Sequence, residues 1–118
     1  MAARRSRRAV LAGAVAGAVA AWALPRPARA AGAVRLITIG APTTEIVYAL
    51  GAGDLVVATD TTSRFPAAAA ALPKVGYMRA LAAEGLLSLA PTRIIAQEGS
   101  GPPEVLARVR DAGIAVDE

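Results

Sequence analysis

One short segment of the chain carries several side chains that can bind a ligand. Between Pro73 and Arg79 the sequence places a phenol (Tyr77), two cations (Lys74 and Arg79) and a thioether (Met78). Proline and glycine mark its start, and both residue types are typical of irregular backbone. The segment lies between two strand-helix units, and its mixture of groups predicts the floor of a ligand-binding site.

The chain contains no histidine and no cysteine. It therefore has no thiolate zinc site, no Ser-His-Asp or Cys-His catalytic pair and no disulfide. Gly51 and Gly53 follow a helix, whereas a dinucleotide-binding glycine loop follows a strand and opens a helix. These features predict a protein that is not an enzyme. Any metal ligand must come from tyrosine, methionine, carboxylate or backbone oxygen.

Residues 1–30 have the composition of an export signal. Four arginines lie among the first eight residues, and an apolar run of about 16 residues follows, shorter than the roughly 20 that span a bilayer. Ala28-Arg29-Ala30 then provides the small-x-small pattern that signal peptidases accept. The sequence predicts a mature chain that begins at Ala31 and is free in the periplasm or another extracytoplasmic space.

The arginine pair Arg7-Arg8 suggests the type of signal. With two apolar residues after Ala9, it resembles the twin-arginine export motif, although Val10 stands where that motif most often has phenylalanine. An ordinary secretory signal is the alternative. Cleavage of either signal would change the sign of the net charge from +4 to −2, since residues 31–118 contain 7 basic and 9 acidic residues. No nucleic-acid partner is predicted.

Beyond the signal, short apolar runs alternate with helical patterns. The first predicted helix ends at Gly51 and has Ile46, Val47 and Leu50 on its buried face, and later helices start near Ala82 and Pro102. Strand-helix-strand units of this length imply parallel crossovers, so the predicted fold class is α/β, a short parallel sheet flanked by helices. The predicted strands are Val34–Gly40, Leu55–Asp60, Thr92–Gln97 and Ile114–Asp117.

Four stretches of sequence resemble the N-terminal lobe of the periplasmic substrate-binding proteins of ABC importers, and among these most of all the haemin-binding proteins. The stretches are residues 39–51, 60–62, 73–79 and 83–92. The helix-proline-strand pattern is shared by the siderophore, cobalamin and haem branches, whereas Gly-Tyr-Met-Arg at 76–79 is more specific for the ligand. The resemblance implies a two-lobe protein, of which residues 31–118 are an incomplete N-terminal lobe, the opening piece of a longer chain.

The resemblance also implies roles for the residues of the segment. Tyr77 matches the tyrosine whose phenolate is an axial ligand of the haem iron, and phenolate suits ferric iron. Arg79 would favour the phenolate, or would meet the haem propionates together with Lys74. Met78 is expected to pack, because an adjacent residue points away from Tyr77 in an extended segment, and its alternative role is that of a second axial ligand. The alternative for Tyr77 is a half-buried ring that covers the edge of the core, and Lys74 and Arg79 are then solvated charges.

Three further features bear on ligand and partner. Asp60, Thr61 and Thr62 follow the second strand, at the edge where α/β sheets bind ligands, and Phe65 could stack on a porphyrin. Glu104, in the first turn of the last helix, matches an acidic residue that docks on the permease in this family. Its alternative role is to complement the helix dipole.

Together these residues predict a monomeric, extracytoplasmic protein that binds haem as a transported ligand and delivers it to the permease of an ABC importer. One alternative is a ferric-siderophore or cobalamin binding protein of the same fold, in which Tyr77 packs or stacks. Another is a fragment that binds no ligand without its second lobe.

Overall fold

A computed structural model of the chain describes residues 32–118. The predicted export signal, residues 1–30, lies outside the described residues. The described chain alternates strands and helices, and a single turn of 3-10 helix (Gly53–Leu55) precedes the second strand. The strands are β1 (Leu36–Ile39), β2 (Val56–Thr59), β3 (Arg93–Ala96) and β4 (Ala115–Asp117), and the helices are α1 (Ala41–Ala49), α2 (Ala67–Ala70), α3 (Ala83–Leu87) and α4 (Pro103–Asp111).

The four strands form one sheet in the order β2-β1-β3-β4, and every neighbouring pair is parallel. The predicted α/β class with a short parallel sheet and flanking helices is therefore confirmed. The chain leaves β1 for β2 on one side and later adds β3 on the other side of β1. The carboxyl ends of β1 and β3 thus form the switch point at which open α/β sheets place their ligands.

The sheet has a buried layer on each face. Successive side chains of a strand point to opposite faces, so Leu36 packs with Val47 of α1 while Ile37 packs with Leu86 of α3 and Leu106 of α4. The larger of the two clusters is on the α3 and α4 face. None of the helices in residues 32–118 is long and apolar enough to cross a membrane.

The predicted buried face of α1 is wrong in two of its three residues. Val47 is buried, but Ile46 and Leu50 are 58% and 79% exposed. Thr44 occupies the interior instead, where its hydroxyl shares hydrogen bonds with those of Thr38 (2.8 Å) and Ser63 (2.6 Å). These polar contacts fix the rotation of the helix, and a pattern of apolar residues does not record them.

The turn between β1 and α1 depends on a glycine. Gly40 has φ 97° and ψ 132°, a conformation that is essentially restricted to glycine. A Cβ at this position would also lie 2.6 Å from Cβ of Gln97, at the end of β3. The close approach of the two strand ends therefore requires the missing side chain.

We expect Gly40→Ala to lower the free energy of unfolding by about 1–3 kcal/mol, through backbone strain and the contact with Gln97. Gly85→Ala is the matched control, because Gly85 lies in α3 with open space around its Cα. That control should raise stability by about 0.4–1 kcal/mol. Urea unfolding followed by circular dichroism measures both, and equal effects of the two substitutions would contradict this description of the turn.

Candidate ligand site at the carboxyl edge of the sheet

The segment that carries Tyr77 crosses the carboxyl edge of the sheet. Its first part pairs with the end of β2, where Thr59 N–H donates to the Pro73 carbonyl (3.0 Å) and Val75 N–H donates to the Thr59 carbonyl (2.9 Å). One step further, Thr61 N–H donates to the Gly76 carbonyl (2.9 Å). The residues before Tyr77 are therefore held like a short extra strand beside β2.

The other end of the segment is attached to the loop that follows β3. Gly101 N–H donates to the Met78 carbonyl (2.8 Å), and Leu81 N–H donates to the Gly101 carbonyl (3.0 Å). In the sheet, β1 lies between β2 and β3. The part of the segment between the two attachments, which includes Tyr77, therefore crosses the switch point. Both anchors use backbone atoms, so sequence alone does not show them.

Neighbouring side chains of the segment have different surroundings. Met78 is 8% exposed and belongs to the larger core cluster, which confirms its predicted packing role. Tyr77 is 47% exposed. Arg79 is exposed and makes neither a hydrogen bond nor an ion pair with any other described residue. The structure thus leaves the phenol and the guanidinium accessible on a backbone that is fixed on both sides.

Asp60 lies beneath this segment, and its carboxylate is fully buried. Oδ1 accepts from Gly40 N–H (3.0 Å) and from the Ser63 hydroxyl (2.6 Å). Oδ2 accepts from the backbone N–H (3.2 Å) and the hydroxyl (2.6 Å) of Thr62. The expected position at the end of β2 is correct, but a carboxylate that is enclosed by four donors is not available to a ligand.

These hydrogen bonds decide the charge of Asp60. Burial favours the neutral acid, but the hydrogen bonds from Ser63, Thr62 and Gly40 outweigh it and hold the pKa of Asp60 below its usual value. The Thr62 hydroxyl also accepts from Ala41 N–H (3.1 Å), so the same cluster satisfies the first amide of α1. The carboxylate therefore connects β1, α1 and the loop after β2.

Among the predicted ligand residues, Lys74 has the side chain that is held most firmly by hydrogen bonds to the protein. Its ammonium donates to the Thr59 hydroxyl (2.7 Å), the Ser63 carbonyl (2.8 Å) and the Ala69 carbonyl (3.0 Å). An ammonium has three N–H groups, so each is already used within the protein. Burial lowers the pKa of Lys74, and the charge of Asp60 opposes that shift. A role of Lys74 in binding a propionate would require the ammonium to exchange one of these acceptors, so that role stays a prediction.

The remaining predicted residues lie on separate surfaces. Phe65, in the loop after β2, is 67% exposed. Glu104 is exposed in the first turn of α4. Tyr48 is half-buried against Gly53, and burial raises the pKa of its phenol, with the charge of Asp54 as a second cause. Of the two tyrosines, Tyr77 is the exposed one.

The Asp60 cluster predicts a specific pH dependence. Because the folded-state pKa of Asp60 is lowered, its contribution to stability is complete above the unfolded value of about 3.9 and is lost as the pH falls through the folded value. We expect Asp60→Asn to lower the free energy of unfolding by about 1–3 kcal/mol at pH 7, since the amide offers N–H groups to existing donors. The variant should lose less stability than the wild type on further acidification.

Urea unfolding between pH 3 and pH 7 measures this difference. Asp111→Asn, at an exposed position at the end of α4, is the control and should follow the wild-type profile. An Asp60→Asn profile parallel to that of the wild type would show that the buried carboxylate does not contribute to the acid sensitivity.

Comparison with known proteins agrees with the fold. The periplasmic heme-binding protein RhuT from Roseiflexus sp. RS-1, in its apo form, is 44% identical with a TM-score of 0.70, over 73% of this chain and 33% of its own. A periplasmic heme-binding protein from Pseudomonas aeruginosa is 46% identical with a TM-score of 0.68, over 70% and 30%. The vitamin B12-binding protein of Vibrio cholerae is 37% identical over 84 residues, 71% of this chain and 30% of its own.

The chain spans about a third of the length of these relatives. The family model described as periplasmic binding protein matches residues 36–115, from β1 into β4. The resemblance that the sequence predicted is therefore confirmed at the level of the family, as is the prediction of a binding protein rather than an enzyme. This chain belongs to the periplasmic binding protein family.

Proposed function

We propose that this chain forms one wall of a haem-binding site in an extracytoplasmic protein that delivers haem to the permease of an ABC importer. The observation that supports the proposal is the accessible Tyr77, on a segment anchored by backbone hydrogen bonds to the exit loops of β2 and β3. A ligand residue on a fixed backbone loses little conformational freedom when it binds.

The chemistry of the accessible groups favours haem. Phenolate is a known axial ligand of haem iron, and a phenol ionises at neutral pH when a metal or a nearby cation stabilises the anion. Arg79 follows Tyr77 by two residues and has no protein partner in residues 32–118, so its guanidinium is available either to the phenolate or to a haem propionate. With Lys74 engaged elsewhere, Arg79 is the proposed cation of the site.

Cobalamin is the second candidate, because a vitamin B12-binding protein is among the relatives. The two heme-binding structures above are more identical to this chain, at 44% and 46%, than that relative is at 37%. A third heme-binding structure, HmuT, is only 30% identical. Overall identity thus does not separate the ligands, and the proposal depends on the phenol and the guanidinium at the site.

Export and docking complete the proposal. Residues 1–30 would direct the chain across the inner membrane, by the twin-arginine route, and the mature protein would work as a monomer. Glu104 would meet a basic residue of the permease, since it is exposed in the first turn of α4.

A haemin titration followed by visible absorbance tests the ligand. The protein expressed from its complete gene should give a saturable shift with a phenolate-to-iron charge-transfer band. Tyr77→Phe should remove this band. It should also weaken haemin binding by well over the roughly tenfold loss of affinity that follows removal of a side chain that only hydrogen-bonds to a metal ligand. Tyr48→Phe is the matched control, since it removes the hydroxyl of the half-buried tyrosine, and it should bind like the wild type.

Parallel titrations with cyanocobalamin and with a ferric siderophore separate the alternatives. Saturable binding of cyanocobalamin or of the siderophore, together with no change in visible absorbance beyond that of free haemin, would contradict the haem proposal. Failure to bind any of the three ligands would favour the interpretation that the chain binds no ligand of this group. A charge-transfer band that persists in Tyr77→Phe would show that another residue is the iron ligand.

The docking role of Glu104 has its own test. Glu104→Arg should reduce ligand-stimulated ATPase activity of the reconstituted transporter by about tenfold at low salt, because charge reversal at an interface opposes association. Haemin affinity should not change. Asp111→Arg makes the same change of charge at the other end of α4 and should leave the ATPase activity intact. Equal activities of the two variants would end the docking hypothesis.

A further inference from the structure

The ammonium of Lys74 connects three separate parts of the chain. Its acceptors are the Thr59 hydroxyl at the end of β2, the Ser63 carbonyl in the following loop and the Ala69 carbonyl in α2. Its own backbone forms an isolated bridge with Thr59. One side chain therefore joins the strand end, the loop and the short helix to the segment that carries Tyr77.

Ser63 links this cation to the buried carboxylate. Its hydroxyl donates to Asp60 (2.6 Å), while its carbonyl accepts from Lys74 (2.8 Å). The charges of Asp60 and Lys74 attract each other through this short connection. Among the described side chains, no buried nitrogen or oxygen lacks a hydrogen-bond partner. Removal of the ammonium would leave the Ser63 carbonyl without a hydrogen-bond donor and would take away the charge that attracts Asp60, whereas the Ala69 carbonyl would still accept from Leu72 N–H (3.1 Å).

The residues joined in this way flank two exposed aromatic rings. Ser63 precedes Phe65 by two residues, and Lys74 precedes Tyr77 by three. Phe65 and Tyr77 are the exposed aromatic residues of the described chain, at 67% and 47%. Two arms therefore lie at the same edge of the sheet: the Phe65 arm is the loop that carries Phe65, and the Tyr77 arm is the segment that carries Tyr77. The Lys74 ammonium lies between these two arms.

We propose that Lys74 is a positioning residue, which fixes the Phe65 arm relative to the Tyr77 arm and so sets the geometry in which an iron porphyrin meets the phenol. The part of this inference that concerns haem rests on the proposed function. Lys74 is a partly exposed residue that acts through its three acceptors in the protein, and it does not contact a carboxylate of the ligand.

Amide hydrogen exchange of the ligand-free protein tests the connection without any ligand. Lys74→Met keeps a linear side chain of similar length but removes all three donors. Exchange at residues 61–66 and 74–79 should accelerate by about tenfold or more, while β1, β3 and α4 keep their protection. Arg108→Met removes one exposed cation of α4 and is the control, with no change expected. Unchanged exchange in Lys74→Met would overturn the inference.

Haemin and haemin dimethyl ester test how the connection serves the site. In Lys74→Met the affinity should fall by the same factor, about tenfold, for both ligands, and the phenolate-to-iron band should shift or broaden. A loss that occurs with haemin but disappears with the ester would mean that Lys74 binds a propionate, and would overturn the inference. If the wild type binds neither ligand, the proposed function fails, whereas the exchange experiment still decides the positioning role.

Lys74→Arg provides a second variant should the methionine variant not fold. It keeps the charge but replaces three converging donors with a planar fork. The positioning role predicts accelerated exchange and weaker haemin binding in this variant also. A direct contact with a propionate predicts undiminished affinity, because arginine pairs well with carboxylates.

Discussion

The buried carboxylate of Asp60 is the interaction on which the site depends. A charge without access to water is tolerated only when hydrogen bonds replace its hydration. Here four donors do so, and they come from the turn after β1 and from the loop after β2. The requirement to satisfy one anion therefore brings two strand ends together and gives α1 its starting direction.

The proposed ligand site lies on top of this arrangement. Backbone hydrogen bonds attach the Tyr77 segment to the ends of β2 and β3, and Met78 secures it from below in the apolar core. Lys74 closes the polar cluster from the side of the segment. A phenol and a guanidinium then remain accessible at the switch point of the sheet.

The sequence predicted the architecture well because alternating apolar runs, proline and glycine report directly on strands and turns. All four strands lie within their predicted ranges, and Met78 packs as expected. The errors concern residues whose role depends on contacts distant in sequence. Their hydrophobicity predicts Ile46 and Leu50 in the core. The Thr44 hydrogen bonds, which fix the rotation of α1, leave no trace in a hydrophobic pattern. The hydrogen bonds of the Lys74 ammonium are equally absent from a sequence pattern, because their acceptors lie 5, 11 and 15 residues away.

Resonance Raman spectroscopy of the ferric haem complex is the most direct test of the central claim that Tyr77 holds the iron. Excitation in the charge-transfer band should enhance tyrosinate modes, and these modes should shift when the protein is made with ring-deuterated tyrosine. The tyrosinate modes should be absent from Tyr77→Phe and present in Tyr48→Phe, which changes the half-buried tyrosine. A ferric haem complex without tyrosinate modes would contradict the claim.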